Sequence, residues 1–582
     1  MRTLPPILDH GGRFVLSRLV LNGVLQAGMV VGTMFLVRHA FDGLLLPEGS
    51  GGPAQFLGLH GLPATIFFAA GLFLFAGFAA LLRMFELVDA ERLGQRYVHR
   101  VRMALFNQMA KFPPRTIAKV GSGAILLRFV GDLTALRTWV SRGLARIVVA
   151  AIVVVLATGF LASVDASLAA ASLAAMLLGL SGNLLLGPKM QSAVDESRML
   201  RGRLARNINE KIRAFSVIQA FNQTRRESRM FRRQSVLLRR AMISRARVMG
   251  LMRILTEGST AFSMGLLLSL GALETTLGMT TAGNVLGAMT MVGFISTAFR
   301  DFGRVHEYYR NAQVSEQRII EFMQTRTMHG RSAALPALAV RDGALTFESA
   351  GIKGSLKDIT GEVPGGARVA VCGPNGAGKS TLLQAAARLI ELTSGRILID
   401  GQDIAACNLS SVRNAIGIVS PDLPLLRGSV RFNLRYRKPQ AGEEETAWAR
   451  ELCRLDELLD TLPGGEAFRV QEGGQNLSLG QRHRLALARA VLGSPPLLIL
   501  DEIDANLDQH AEDVLSHVLD RYPGTVIMAT RSTKLIERAD LCWHMEDGRL
   551  AGVTERSGSD PADTEKRMKS LMTPPSATKE SP

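Results

Sequence analysis

Acidic residues are in short supply: 51 Asp and Glu face 68 Lys and Arg in 582 residues, for a formal net charge of +17. Cysteine is scarcer, with four in the chain, all in its second half (Cys372, Cys407, Cys453, Cys542) and none at metal-ligand spacing. That excludes a disulfide framework and a cysteine-based zinc site, and it fits a reduced, cytoplasmic second half with unpaired thiols. No small-residue cleavage site follows the first apolar stretch cleanly. That stretch reaches Val37 after Arg2, Arg13 and Arg18 and is too long for a signal-peptide core, so it reads as an uncleaved first span. The positive charge does not point to nucleic acid either. Its residues crowd two long loops, at Arg92, Arg96, Arg100 and Arg102 and again at Arg225, Arg226, Arg229, Arg232, Arg233, Arg239 and Arg240. The positive-inside bias of a membrane protein produces that pattern with no further partner.

Present in abundance are long apolar runs, confined to the first half. Hydrophobic residues make up 47% of the chain beside 20% charged residues, and the mean hydropathy is +0.17. The length exceeds one ordinary core, so two or more domains are expected. Six stretches approach the ~20 residues that a membrane-crossing helix needs: Phe14–Val37, Ala64–Leu82, Leu144–Ser163, Val164–Pro188, Met252–Leu273 and Asn284–Phe299. The third and fourth run together around Asp165. Connections after the first, third and fifth spans are short and nearly free of Lys and Arg, Arg38 excepted. Those after the second and fourth are long and basic, which places them and both termini in the cytoplasm. Leu93, Val98, Val101, Leu105 and Met109 recur at helical spacing, so the spans should continue as helices beyond the bilayer. Asn22, Gln26, Asn183 and Glu257 are polar residues inside spans. They are candidates either for a transport path or for hydrogen bonds between helices. The phenylalanines of the second span (Phe67, Phe68, Phe73, Phe75, Phe78) fit lipid or neighbouring helices better than a substrate.

Near Gln324–Leu338 the pattern changes. Arg368–Cys372 reads as a buried strand and runs into Gly373-Pro374-Asn375-Gly376-Ala377-Gly378-Lys379-Ser380-Thr381, then a helix from Leu382. In this strand–loop–helix setting the glycines let backbone N–H groups wrap phosphates, aided by the positive end of the helix dipole. Lys379 should reach the outer phosphates and the Ser380 hydroxyl should ligate Mg²⁺. A second strand, Leu497–Leu500, ends in Asp501-Glu502. Asp501 can hold the Mg²⁺ from the carboxyl end of a parallel strand, and Glu502 is placed to orient or deprotonate an attacking water.

Between these motifs, Leu477-Ser478-Leu479-Gly480-Gln481 followed by a basic helix resembles the LSGGQ signature of ATP-binding-cassette (ABC) proteins. Asp504-Ala505-Asn506-Leu507-Asp508 resembles the loop after that family's catalytic acid. Gly121–Asp132 and Glu210–Phe221 look like the cytoplasmic coupling segments of its exporter branch. The resemblance covers nearly the whole chain. It implies an all-α six-helix transmembrane domain (1–322), a linker (323–339) and an α/β P-loop ATPase domain (340–555); the tail at 556–582, rich in Ser, Pro and charge, is expected to be disordered. The resemblance implies ATP and Mg²⁺ as cofactors and a dimer in which each signature closes over the other chain's nucleotide, set in the cell membrane with lipid around it.

Four positions depart from the family pattern. Ser349 stands where an aromatic usually stacks on adenine, so stacking worth ~1–3 kcal/mol is lost. Pro421 replaces the glutamine that contacts Mg²⁺ and the attacking water, and proline offers no side-chain donor or acceptor. Arg531 stands for the switch histidine; it can clamp a γ-phosphate but does not titrate. Leu479 replaces a glycine where backbone approaches the partner's nucleotide. Phosphoryl transfer depends on positioning, so the expectation is a heterodimer whose second half-transporter supplies the better catalytic site. The alternative is a regulatory or structural half with little ATPase activity of its own. Nothing in the sequence selects the transported substrate.

Overall fold

Long apolar runs bounded by basic residues form helices that outlast the bilayer. The structure, a computed structural model, describes residues 4–45, 62–113, 116–117, 120–325, 335–502 and 509–555. The chain forms two compact units, the first made of residues 1–110 and 121–325 and the second of residues 111–120 and 326 onward.

In the first unit six long helices carry the expected spans: α1 (His10–Leu45), α2 (Leu62–Met109), α3 (Ala145–Val164), α4 (Ala166–Arg213), α5 (Thr224–Thr276) and α6 (Ala282–Gln324). At 48 residues α4 is about 72 Å long, more than twice the hydrocarbon thickness. The continuation of spans into long helices is therefore observed. Asp165 explains why the third and fourth spans run together. Its carboxylate caps α4, accepting from Ser167 N at 3.1 Å and Leu168 N at 3.2 Å, so the chain turns without a loop.

Among the described residues five helices are long and apolar enough to cross a membrane. The fifth expected span, Met252–Leu273, is helical within α5, but Arg253, Thr256, Glu257 and Ser259 dilute its apolar character. Small residues let α4 and α5 approach closely: a methyl on Gly179 would meet Ser259 Oγ at 2.3 Å, and one on Gly182 would meet Leu255 at 3.0 Å. Buried Asp42 ties α1 to the start of α6, accepting from Gly283 N at 2.9 Å and Thr281 Oγ1 at 3.0 Å.

In the second unit the strands make two main sheets, beside a short antiparallel pairing of Gly428–Ser429 with Arg469–Val470. One is antiparallel, ordered β2 (Leu356–Val363), β1 (Leu345–Ile352), β4 (Ser394–Ile399) and a short strand at Gln402–Asp403. The other is ordered β9 (Arg549–Glu555), β8 (Leu541–Glu546), β3 (Arg368–Cys372), β7 (Thr525–Ala529), β6 (Leu497–Asp501) and β5 (Ile416–Val419). Its strands are parallel except β9 at the edge. Two apolar cores fill its faces, one around Leu485, Leu498 and Leu500, the other around Phe347, Ile499 and Trp543. Both faces being covered is the condition for a parallel sheet, and the carboxyl ends of β3 and β6 are where a ligand site belongs. The segment 556–582, expected to be a disordered tail, and much of the expected linker lie outside the described residues.

Candidate functional site

The phosphate loop leaves β3 and enters α7 (Lys379–Ala386). Gly373 has φ +143°, and a methyl there would lie 2.2 Å from Met545 O; Gly378 has φ +97° and stands at the N-terminus of α7. Neither position admits a side chain without strain. Pro374, Asn375 and Gly376 form the exposed tip, while Ala377 is buried beneath it. Lys379 is buried and its Nζ donates to Gly373 O and Pro374 O, each at 2.9 Å. The ammonium therefore sits across the loop mouth on neutral acceptors, where an anion would be a better partner. Burial holds the Lys379 pKa below its ordinary value, as does the positive charge of Arg531, while Glu502 opposes the shift. Thr381 is buried and accepts from Ser355 Oγ at 2.9 Å.

Asp501 ends β6 at 3% exposure. Ser420 Oγ donates to its Oδ2 at 3.3 Å, whereas Oδ1 is buried without a hydrogen-bond partner among the described residues. Burial pushes the Asp501 carboxyl above the ordinary range; the Ser380 hydroxyl opposes this and the negative charge of Glu502 adds to it. An unsatisfied, buried carboxylate oxygen beside a serine hydroxyl fits the donor set that Mg²⁺ takes, so Ser380 and Asp501 are the residues that would hold it. Glu502 is exposed with φ +49°, and its N–H donates to Ala529 O at 3.2 Å. A non-glycine residue held there costs of order 1–3 kcal/mol, a cost typical of functional positions.

Two residues that the sequence reading missed flank Pro421. Ser420 reaches Asp501, and Asp422 accepts from Gln384 Nε2 at 3.0 Å. The only signal for them was adjacency to Pro421, which itself is exposed. Ser349 lies at φ +48° in a kink of β1, its N–H donating to Thr360 Oγ1 at 3.1 Å. In the signature, Leu477 is buried and Ser478 caps α8 (Leu479–Val491). Ser478 Oγ accepts from Gln481 N at 3.2 Å and Gln481 Oε1 accepts from Ser478 N at 2.9 Å. Leu479 is the first helical residue and Gly480 is buried behind it. Ala505, Asn506, Leu507 and Asp508 lie outside the described residues.

The polar span residues divide between two roles. Asn22 donates to Leu82 O at 2.9 Å, a bond between α1 and α2. Gln26 donates to Glu86 at 2.8 Å and lines a cavity of about 500 Å³ among α1, α2, α3 and α6, together with Phe75, Arg83 and Arg146. Asn183 donates to Thr256 Oγ1 at 2.8 Å, and Glu257 pairs with Arg253 at 2.7 Å. Both line a second cavity of about 500 Å³ among α4, α5 and α6, with Asp195, Glu307 and Arg310. Of the second-span phenylalanines, Phe73 and Phe78 are exposed on the helix surface, as expected, but Phe75 faces the first cavity.

A sequence profile described as the ABC transporter transmembrane region matches residues 20–299, and a second, described as ABC transporter, matches residues 356–505. The chain belongs to the ABC transporters. This ABC transporter is 25% identical to the uncharacterized ABC transporter ATP-binding protein YknV of Bacillus subtilis (strain 168), over 83% of this chain and 81% of that protein. It is 25% identical to the ATP-dependent lipid A-core flippase of Syntrophus aciditrophicus (strain SB), over 92% and 86%. It is 30% identical to the heavy metal tolerance protein of Schizosaccharomyces pombe over 51% of this chain, and spans 37% of that longer relative. Its fold matches the structure of a bacterial Atm1-family ABC exporter with ATP bound, with a TM-score of 0.79 and 22% identity, covering 96% of this chain and 99% of that one.

Proposed function

We propose that this ABC transporter is one half of an exporter that couples ATP binding and hydrolysis to movement of a substrate across the membrane. One observation carries the reading. A phosphate cradle with a buried lysine and an unsatisfied metal-binding carboxylate shares a polypeptide with six long helices that enclose polar cavities. ATP is held by residues 373–381, with Lys379 moving from its carbonyl partners to the outer phosphates. Ser380 and Asp501 would hold Mg²⁺, which would supply positive charge to offset that of the phosphates, and Glu502 orients the attacking water. Residues 1–322 serve as the membrane domain, 323–339 as the linker and 340–555 as the ATPase domain, with both termini in the cytoplasm.

The second half is a different chain in this reading. Pro421 supplies no group to Mg²⁺ or water, and Arg531 cannot titrate, so this chain's own site turns over slowly. Its signature residues Leu477–Gln481 complete the partner's site. The deciding measurement is ATP turnover of the chain reconstituted with the half-transporter that co-purifies with it. Glu502→Gln is compared with the matching change in the partner. The expected result is near-complete loss from the partner's change and a smaller loss from Glu502→Gln. Brisk, transport-coupled turnover by this chain as a homodimer would overturn the heterodimer. ATP affinity indifferent to Lys379→Ala would overturn the whole reading.

A further inference from the structure

Cys372 is the last residue of β3, immediately before Gly373, and Cys542 is the second residue of β8. The parallel register sets Cys542 opposite Ala370 and His544 opposite Cys372. Since alternate residues share a face, both thiols point to one side of the sheet and pack in the same core. Their sulfurs are 2.9 Å apart. A disulfide needs about 2.05 Å, so closure asks for a movement of roughly 0.9 Å. All four thiols are buried, and burial pushes those of Cys407 and Cys453 up, which disfavours their thiolates. The hydrogen bond with Cys372 brings Cys542 down to about 6 against the effect of burial, and His544 adds to the lowering, so Cys542 is the nucleophile of the pair. Two thiols this close on one face of the sheet have the geometry for oxidation to a disulfide.

We propose that Cys372 and Cys542 form a peroxide-oxidisable pair whose disulfide loosens the phosphate loop's hold on ATP. The Cys542 thiolate attacks one oxygen of hydrogen peroxide and breaks the O–O bond, leaving a sulfenic acid and, after protonation, one water. The Cys372 sulfur then displaces the sulfenic hydroxyl, which departs with a proton as a second water. Two thiols and one peroxide thus yield one disulfide and two waters. The consequence for ATP is steric. Gly373 lies beside Met545 O of β8 with no room for even a methyl, and its carbonyl is one of the two that seat Lys379. Drawing Cys372 towards β8 shifts this first residue of the loop, and with it the Lys379 seat. Thiol reductants of the cytoplasm reverse the bond, as expected of a transient cytosolic disulfide.

The proposal rests on the loop being the ATP site, so ATP affinity of the reduced full-length protein is measured first. If reduced protein fails to bind ATP in a Lys379-dependent way, the functional reading fails rather than this one. Reduced protein is then titrated with hydrogen peroxide, mapped by differential thiol alkylation and peptide mass, and assayed with a fluorescent ATP analogue. The expected result is a linked Cys372–Cys542 peptide, ATP affinity weakened about tenfold, and recovery with dithiothreitol. Cys372→Ser should stop at a Cys542 sulfenate that dimedone traps, and Cys542→Ser should keep its ATP affinity under peroxide. Should either variant fail to fold, the wild-type titration alone decides. Absence of the linked peptide, or its formation with unchanged ATP affinity, overturns the proposal.

Discussion

Asp501 concentrates the chemistry of the site in one side chain. Its folded-state pKa lies above the ordinary aspartate value because burial disfavours the charge. The stabilising contribution of such a group is fully present below its unfolded-state pKa and is lost as pH rises through the raised one. Above that raised pKa, without metal, the ionised carboxylate is therefore a cost to folding. Asp501→Asn should raise the melting temperature of the metal-free protein, by roughly a few degrees, while abolishing the stabilisation that Mg-ATP confers. A thermal-shift series with and without Mg-ATP checks both signs. If Asp501 holds Mg²⁺ as proposed, protons compete for the same oxygen, and Mg²⁺ dependence of ATP turnover should weaken on acidification at a higher pH than for an ordinary aspartate. Ser380→Ala removes the opposing hydrogen bond and should move that limb higher still.

Arg531 provides a second test at this scale. Its charge already acts on Lys379, which puts a guanidinium at the phosphate end of the site. If it clamps the γ-phosphate, as a guanidinium in that position can, Arg531→Ala should weaken ATP binding by about tenfold and ADP binding hardly at all. Equal losses for the two nucleotides in parallel titrations would contradict that role. The cradle itself was legible in the sequence because glycine spacing, lysine and strand-to-helix context are all local. Ser420 and Asp422 were not, because their proximity to Asp501 and Gln384 comes from the ordering of β5 beside β6. No periodicity along the chain encodes that neighbour relation.

At the scale of elements, the signature separates what one chain encodes locally from what needs a second chain. The approach of Leu479 to a partner's nucleotide belongs to the dimer and stays an expectation. The cap is local: Leu479 stands at the first turn of α8 in helical geometry, without positive φ, under a reciprocal cap from Ser478 and Gln481. Leu479→Gly should therefore lower stability by ~0.5–1 kcal/mol, and Ser478→Ala by about 1 kcal/mol through loss of the cap. Chemical denaturation of the reconstituted protein reads both. The same contrast runs through the membrane helices. Apolar runs announced α1 to α4 and α6 plainly, whereas the fifth span is blurred because its residues line a charged cavity, with Arg253 and Glu257 paired on one face. A helix that faces water inside the bilayer loses the hydropathy signal that reveals its neighbours.

Across the whole molecule, length decides what the membrane half can do. At 48 and 53 residues, α4 and α5 extend far past the hydrocarbon layer, to a tip formed by the short helix Phe215–Ala220. None of that helix is buried, and Phe215, Val217 and Phe221 are 51%, 53% and 71% exposed. Apolar side chains clustered at the end of a charged hairpin are costly in water and call for a covering surface. The segment is one of the two that resemble exporter coupling elements, and the proposed function requires a part that carries closure of the ATPase domains to the spans. Phe221→Asp should leave ATP affinity and melting temperature unchanged, because the side chain packs against little of its own chain. It should nevertheless cut transport per ATP hydrolysed by about tenfold. The measurement is substrate flux and ATP turnover on the same vesicles. A variant that transports at the wild-type ratio would mean that the tip is covered by something other than the machinery that drives translocation.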